Sequence, residues 1–365
     1  MSLRAGIVGG GMIAAVHAAA IRAAGHELVG VATRSSSGSE AAAGRLRARP
    51  FRDAYELIDS GEVDVVHVCT PNGSHAAYVT RAAHAGKKIV CEKPLGVDLV
   101  EAQQLNDLAV SARVPTAVPF VYRYYAAARE MRARLAAGPR PLLVRGSYLQ
   151  DWLVDSQEWN WRVNDTQGGA SRAFADIGVH LCDFVEFVTG DRISRLVANT
   201  VRAYPERNGA PVRTEDIVSL LVQTDGGVTG TLTVSQVSHG HKNHLFVSVD
   251  TEAASYGFDQ EDPEKLTVGT AAGITTEHRA TAAFESADAA HVSFLPAGHP
   301  QGYQDAFNAF IRDAYTSFEG LEVEALPNFA DGVRAACLTE AVLESAKIGA
   351  WVDVARSPRA TEAVA

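Results

Sequence analysis

Cysteine is scarce in this chain of 365 residues, and its placement excludes the usual cysteine chemistries. Cys69, Cys91, Cys182 and Cys337 show no CxxC spacing, sit in apolar contexts and follow no secretory signal. Reduced, buried thiols in a cytoplasmic protein are expected, with neither a disulfide framework nor a metal site. No apolar run reaches the length of a membrane span. Positive charge is in deficit as well: 33 Lys and Arg against 43 Asp and Glu leave a net charge of −10. Nucleic acid and anionic membranes both call for a basic face, so neither is an expected partner. Internal repeats and low-complexity tracts are also missing.

What remains is an ordinary globular composition, 47% apolar and 21% charged, in a chain too long for one core. Two domains are expected. From Leu3 to about Phe120, wholly apolar runs (LRAGIVGG, ELVGVAT, VDVVHVCTP, KKIVCEK, VPTAVPFV) alternate with helical patterns. Such runs belong to a parallel sheet covered on both faces, which makes residues 1–121 a Rossmann-type, doubly wound α/β domain. Helix signals support this: Asn72 or Ser74 before AAYVTRAAHA, and Gly25 and Gly86 after helical stretches.

Beyond Tyr122 the pattern shifts to strand-like segments: PLLVRGSYLQ, RLVANTVRAY, DIVSLLVQT, VTGTLTVSQV and NHLFVSVDT. DGG at Asp225–Gly227 reads as a hairpin turn between two of them. Residues 122–355 are therefore expected to form an α+β domain with a large, open, mainly antiparallel sheet. Helical patterns at Ser171–Thr189 and Gly302–Gly320 would cover one face. The other face would be free and apolar, inviting a homodimer or homotetramer. Residues 356–365 read as a frayed tail.

Four motifs carry chemistry. In GIVGGGMIAA, Gly9, Gly11 and Ala14 fit G-x-G-x-x-A between a strand and a helix, with Met12 and Ile13 in the loop. Small residues there let the backbone approach a pyrophosphate at the helix N-terminus. The second strand ends in ATRSSSGSE, with no acid at Ala32, Thr33 or Arg34 to take the ribose hydroxyls. Arg34 with Ser35 and Ser36 suits a 2′-phosphate, or Arg34 lies over the adenine; NAD and NADP both stay open, with a slight lean to NADP. The third strand ends in Thr70, Pro71, Asn72 and His75, where His75 either meets the cofactor or caps a helix. The fourth strand delivers Glu92 and Lys93, and Pro94 keeps Lys93 extended so that its ammonium points at the cleft. Finally, GGASRAFADIGVHLCDF places Asp176 and His180 four apart on one helical face, a spacing in which a carboxylate tunes an imidazole base.

In this order, G-x-G-x-x-A, TPN with a following His, CEKP and GG…DIGVH, the chain resembles the family of glucose–fructose oxidoreductase, inositol dehydrogenase and the rhizopine-catabolism protein MocA. The resemblance implies substrate held between the two domains over a nicotinamide. It also implies that Lys93 polarises the reacting hydroxyl while Asp176 and His180 complete the proton-handling set. ASRAFA before Asp176 is longer and less apolar than in many relatives.

Trp152, Trp159 and Trp161 crowd into QDWLVDSQEWNWRVND, beside Asp151, Asn160 and Arg162. Aromatic faces suit sugar C–H faces and the polar residues suit hydroxyls, so a carbohydrate or polyol substrate is expected; a loop packed on a neighbouring domain is the alternative. This stretch and the later AGHPQGYQDAF, with His299 and Tyr303, resemble the levoglucosan dehydrogenase and glycoside 3-dehydrogenase branch. That branch implies oxidation of a secondary ring hydroxyl to a ketone. A glycosidase using transient oxidation and a non-catalytic dinucleotide sensor are the competing readings.

Overall fold

The computed structural model describes residues 2–279, 281 and 284–356, so the expected tail lies, apart from Arg356, outside the described residues. Six parallel strands form the first sheet: β1 (Arg4–Val8), β2 (Glu27–Ala32), β3 (Arg49–Pro50), β4 (Val65–Val68), β5 (Lys88–Cys91) and β6 (Thr116–Ala117). Their order is β3-β2-β1-β4-β5-β6. Every residue of β4 is buried, as a strand covered by helices on both faces requires. The order reverses between β1 and β4, which opens a crevice at their carboxyl ends.

The second sheet begins with β7 (Pro141–Leu149) and β8 (Ile193–Val201). A separate small hairpin, β9 (Glu206–Arg207) and β10 (Ala210–Pro211), precedes β11 (Ile217–Thr224) and β12 (Thr229–Ser235). Then come β13 (His244–Thr251), β14 (Ser255–Asp259), β15 (Lys265–Thr270), β16 (Gly273–His278) and β17 (Val352–Asp353). The nine strands run β16-β15-β14-β13-β7-β12-β11-β8-β17, antiparallel except for the β7–β12 pair. The DGG turn joins β11 to β12, and Gly227 takes φ +84° there, a conformation glycine adopts without cost.

Alternation decides the faces. Val218, Leu220, Val222, Leu232 and Val234 are buried, while Ser219, Leu221, Thr231 and Thr233 point outward and are exposed. The expected free face exists, but on these central strands its outward row is mostly Ser and Thr, not apolar. Helices Ala126–Ala137, Val179–Thr189 and Phe329–Ile348 contact the sheet. Helix Tyr303–Phe318 instead crosses to helix Met12–Ala23, and Phe329–Ile348 also packs on Leu99–Ser111, so the second half clamps the first.

Candidate active site

The glycine loop follows from how closely β1 and β4 end. Gly9 has φ +122°, and a Cβ there would lie 2.4 Å from the Cys69 carbonyl oxygen. Only glycine fits. Gly11 is the N-cap of helix Met12–Ala23, which has no side-chain cap and no acid in its first turn. A Cβ on Gly11 would meet nothing within 4 Å, Met12 is exposed and Ile13 half-buried. The helix therefore offers uncapped amides and its positive dipole end to open space, which fits the pyrophosphate of a dinucleotide.

Past β2, the Thr33 N–H donates to Ser39 Oγ at 2.9 Å, and Ser35 caps helix Ser36–Leu46 by accepting from Gly38 N. Arg34, Ser36 and Ser37 remain exposed beside this cap. Past β4, the Ser74 hydroxyl donates to Thr70 Oγ1 at 2.8 Å, Pro71 is exposed, and Asn72 Nδ2 donates to the Gly168 carbonyl at 3.0 Å. Asn72 thus ties the first half to the second. Ser74 is the N-cap residue of helix His75–His84, but its hydroxyl does not cap the helix amides.

His75 corrects an expectation. It is fully buried, its ring nitrogens 3.0 Å from the Pro94 carbonyl and 2.9 Å from that of Thr70. A group so enclosed braces the ends of β4 and β5 from behind and does not face a cofactor. Burial lowers its pKa, so the neutral ring donates one of these two bonds at a time.

The fourth motif builds the centre. Lys93 follows β5 with a cis bond to Pro94, and its Nζ donates to Asp176 Oδ1 at 3.0 Å and to the Asp176 carbonyl at 2.6 Å. Asp176 also accepts from Arg162 Nε at 3.2 Å and Gln236 Nε2 at 2.8 Å. Burial alone would raise its pKa, but Lys93 and then Arg162 override it and hold the carboxyl well below the usual range. Asp176 is a fixed anion.

Asp176 sits in a π-helical turn, Phe174–Gly178, which leads straight into helix Val179–Thr189 and His180. A Cβ on Gly178 would come 2.3 Å from the Phe174 ring, so the turn depends on glycine. Asp176 acts on His180 through its charge, which raises the imidazole's pKa, and not through a hydrogen bond. His180 Nδ1 is buried with no partner among the described residues, and the ring stands edge-on to Tyr122 at 5.0 Å and Phe120 at 5.6 Å. Burial first, and the Lys93 charge second, push its pKa well below that of free imidazole. The ring is neutral at physiological pH.

On the substrate side, Arg162 both reaches Asp176 and stacks 4.5 Å over the Trp161 ring. Trp152 is half-buried against Leu153, Val163 and Val212, and its Nε1 donates to Gln150 Oε1 at 2.8 Å. Tyr303 opens helix Tyr303–Phe318, with its ring 6.5 Å from that of Tyr122. Other expected hydroxyl binders are occupied. Asp151 pairs with Lys242 at 2.6 Å, and Asn160 caps a short turn through Arg162 N at 3.1 Å. Trp159 is 44% exposed, and His299 lies exposed on a loop whose carbonyl accepts from Arg279 at 2.7 Å.

Sequence reasoning missed Gln236 and a polar relay. The Tyr122 and Tyr148 hydroxyls bond to each other, and Tyr148 donates to Asn243 Oδ1 at 2.6 Å. Gln150 Nε2 donates to the same oxygen at 2.8 Å, which links Trp152 to the aromatic wall around His180. Gln236 directly follows β12, at the end from which a polar side chain can reach the cleft, and that position was the available signal.

Comparison with known proteins agrees with this arrangement. Residues 3–120 match the oxidoreductase family with an NAD-binding Rossmann fold, and residues 125–256 match the GFO/IDH/MocA C-terminal domain. Levoglucosan dehydrogenase of Pseudarthrobacter phenanthrenivorans is 27% identical over 83% of each chain. Glucose-6-phosphate 3-dehydrogenase of Bacillus subtilis is 27% identical over 68% of this chain and 67% of that one. Among solved structures, levoglucosan dehydrogenase in complex with NADH and levoglucosan superposes with a TM-score of 0.89 at 28% identity, covering 98% of this chain and all of the other (100%). With both halves matched and the cleft residues assembled between them, the chain belongs to the Gfo/Idh/MocA oxidoreductase family.

Proposed function

We propose that the enzyme oxidises a secondary hydroxyl of a sugar, anhydrosugar, glycoside or cyclitol to a ketone, with Lys93, Asp176 and His180 as its acid–base set. One observation carries the reading: a lysine held 3.0 Å from a buried, fixed carboxylate, next to a neutral histidine at the mouth of a dinucleotide cleft. The relatives named above are dehydrogenases acting on sugars, which supports the same reaction class. A bound nicotinamide supplies the hydride acceptor.

The chain's own residues do the rest. Lys93 has three N–H donors, and two are spent on Asp176. The third is left for the substrate oxygen, where the ammonium favours the alkoxide character that develops as the C–H bond breaks. Nδ1 of His180 is buried without a partner among the described residues, which leaves Nε2 as the nitrogen to take the hydroxyl proton. Asp176 fixes Lys93 and carries no proton. Trp152, Trp161, Arg162 and Tyr303 wall the space for a sugar ring.

The dinucleotide on this reading is NAD or NADP, with a slight lean to NADP from exposed Arg34, Ser36 and Ser37 and from the lack of an acid at positions 32–39, while the similar levoglucosan dehydrogenase structure holds NADH. Buried free cysteines suit a reducing compartment, so the proposed location is cytoplasmic. Association through the open sheet face into a dimer or tetramer is proposed too, and light scattering decides it.

The test is the near-ultraviolet absorbance of reduced nicotinamide across sugars, anhydrosugars, glycosides and inositols, with NAD and NADP separately. Reduction with one ligand class is the expected result. No reduction with any of them, despite tight dinucleotide binding, would overturn the dehydrogenase reading.

A further inference from the structure

Behind the cleft lies a row of buried polar groups that the reaction above does not use. Glu92, next to Lys93, is only 8% exposed, and its Oε1 is 3.0 Å from His17 Nε2. The other nitrogen of that ring, Nδ1, is 2.8 Å from Nδ1 of His67, and His67 Nε2 is 2.8 Å from the Tyr315 hydroxyl. His17, His67 and Tyr315 are all fully buried, and Phe307 closes over His17 at 4.9 Å between ring centroids. The three come from different elements: the helix that opens on the glycine loop, strand β4, and helix Tyr303–Phe318 of the second half.

With both imidazoles neutral, counting protons gives this row a direction. Burial, then His17, pushes His67 far below the usual imidazole pKa, so His67 carries one ring proton. Two facing Nδ1 atoms bond only when one holds a hydrogen and the other a lone pair. If a neutral His17 held it at Nδ1, the lone pair of Nε2 would face the Glu92 carboxylate. The arrangement that wastes nothing runs one way: Tyr315 O–H to His67 Nε2, His67 Nδ1–H to His17 Nδ1, and His17 Nε2–H to Glu92. Three protons serve three hydrogen bonds, and Glu92 is left as the acceptor. Its second oxygen has no partner among the described residues and is not sealed off.

Glu92 stands at the carboxyl end of β5, across the switch point from the β2 end that takes the adenosine half of a dinucleotide. The nicotinamide half then lies on its side of the crevice. We propose that His17, His67 and Tyr315 are positioning residues, a buried hydrogen-bonded row that fixes the Glu92 carboxylate as a negative charge at the nicotinamide end of the cleft. That charge favours the oxidised, cationic nicotinamide over the neutral reduced one. The row also makes this preference depend on the seating of helix Tyr303–Phe318, since its last donor, Tyr315, belongs to the second half. The inference rests on the dinucleotide reading given above.

Affinity for the oxidised and reduced cofactor, measured separately by calorimetry and by nicotinamide fluorescence on the full chain, tests it. NAD+ with NADH and NADP+ with NADPH are the probes. Glu92→Gln should shift the oxidised-to-reduced affinity ratio about tenfold towards the reduced form, the scale of two charges several ångströms apart in a partly screened cleft. His17→Leu should reproduce at least about a third of that factor. His17→Gln, whose amide nitrogen stands in for Nε2–H, should restore the ratio, while Tyr315→Phe should move it the same way by less. A ratio that moves only in Glu92→Gln would reduce the row to packing and overturn the proposal. An unmoved ratio in Glu92→Gln would remove the charge role as well. If His17→Leu fails to fold, Tyr315→Phe and Glu92→Gln still decide. Absence of all dinucleotide binding in the parent chain would strike the underlying reading instead.

Discussion

Replacing Lys93 with Met keeps the side chain's length and apolar stem and removes its charge. In the parent, that charge lies 3.0 Å from a carboxylate, with side-chain exposures of 13% and 15%. Opposite unit charges at this distance attract by about 5 kcal/mol at an effective dielectric near 20, before desolvation is counted. Breaking a buried pair typically costs about 3–5 kcal/mol. Asp176 keeps Arg162 and Gln236, which places the stability loss at the low end, about 3 kcal/mol. Turnover should fall further, by about 10² to 10⁴, because the substrate oxygen loses its donor and the developing alkoxide its counter-charge. Dinucleotide affinity should stay nearly intact, so the loss appears in kcat. The assay is steady-state cofactor reduction on the best substrate, with cofactor binding measured in parallel. Turnover within about threefold of the parent would refute the role of Lys93. A pH series adds a signed check. The Asp176 pKa is depressed in the folded state, so its stabilisation is present above the unfolded value of about 3.9 and is lost only as pH falls through the lower folded value. Without Lys93, its main favourable partner, the folded pKa rises and acid unfolding of the variant should begin at higher pH.

Gly9→Ala should weaken dinucleotide binding at least about tenfold and cost about 2 kcal/mol of stability, because the new Cβ meets the Cys69 carbonyl at 2.4 Å in a strained φ region. Calorimetric titration and thermal melts check both; unchanged values would mean that the close approach of Gly9 to Cys69 does not require glycine. Arg34→Asp should shift preference towards NAD by about tenfold or more if a 2′-phosphate sits there, and equal relative affinities before and after would reject that contact. Gln236→Leu removes the one donor to Asp176 Oδ2 among the described residues and should lower turnover about tenfold with little change in cofactor affinity. A turnover equal to the parent's would show that Lys93 and Arg162 hold Asp176 without it.

The first half of the chain was largely legible because its signals are local. Apolar runs name the parallel strands, and the glycine loop and CEKP fall at strand ends where one rule places ligands. Strand β3, at two residues, is too short to register as a run. In the second half, β16 escaped because GITTEH is exposed along almost its whole length and shows no alternation. The site divides along the same line. Lys93 and Asp176 meet as the motifs implied, but Gln236, Tyr122, Tyr148 and Asn243 join them only through β-sheet register and helix docking. His75 misled for the same reason. A histidine after a strand looks available until the loop behind it is seen to close over both ring nitrogens.

The spacing of Asp176 and His180 leaves open how the two groups divide their partners. Four residues apart on a helix places a carboxylate near its imidazole, where its charge raises the base's pKa, and Asp176 does act on His180 in that sense. Here the carboxylate is spent on Lys93, Arg162 and Gln236, and the imidazole stands among Phe120, Tyr122 and Tyr148. One neighbour lowers both pKa values with opposite effects on charge: Lys93 stabilises the Asp176 anion against its burial and, after burial itself, disfavours a charged His180. One residue stays ionised and the other neutral near pH 7, the states that the proposed counter-charge and the proposed proton acceptor call for. A bonded Asp–His pair would have raised the imidazole's affinity for a proton and left fewer neutral rings to receive one from substrate. The π-helical turn at Phe174–Gly178 brings Asp176 to Lys93 through both its main-chain and side-chain oxygens, while His180 starts the regular helix beyond it.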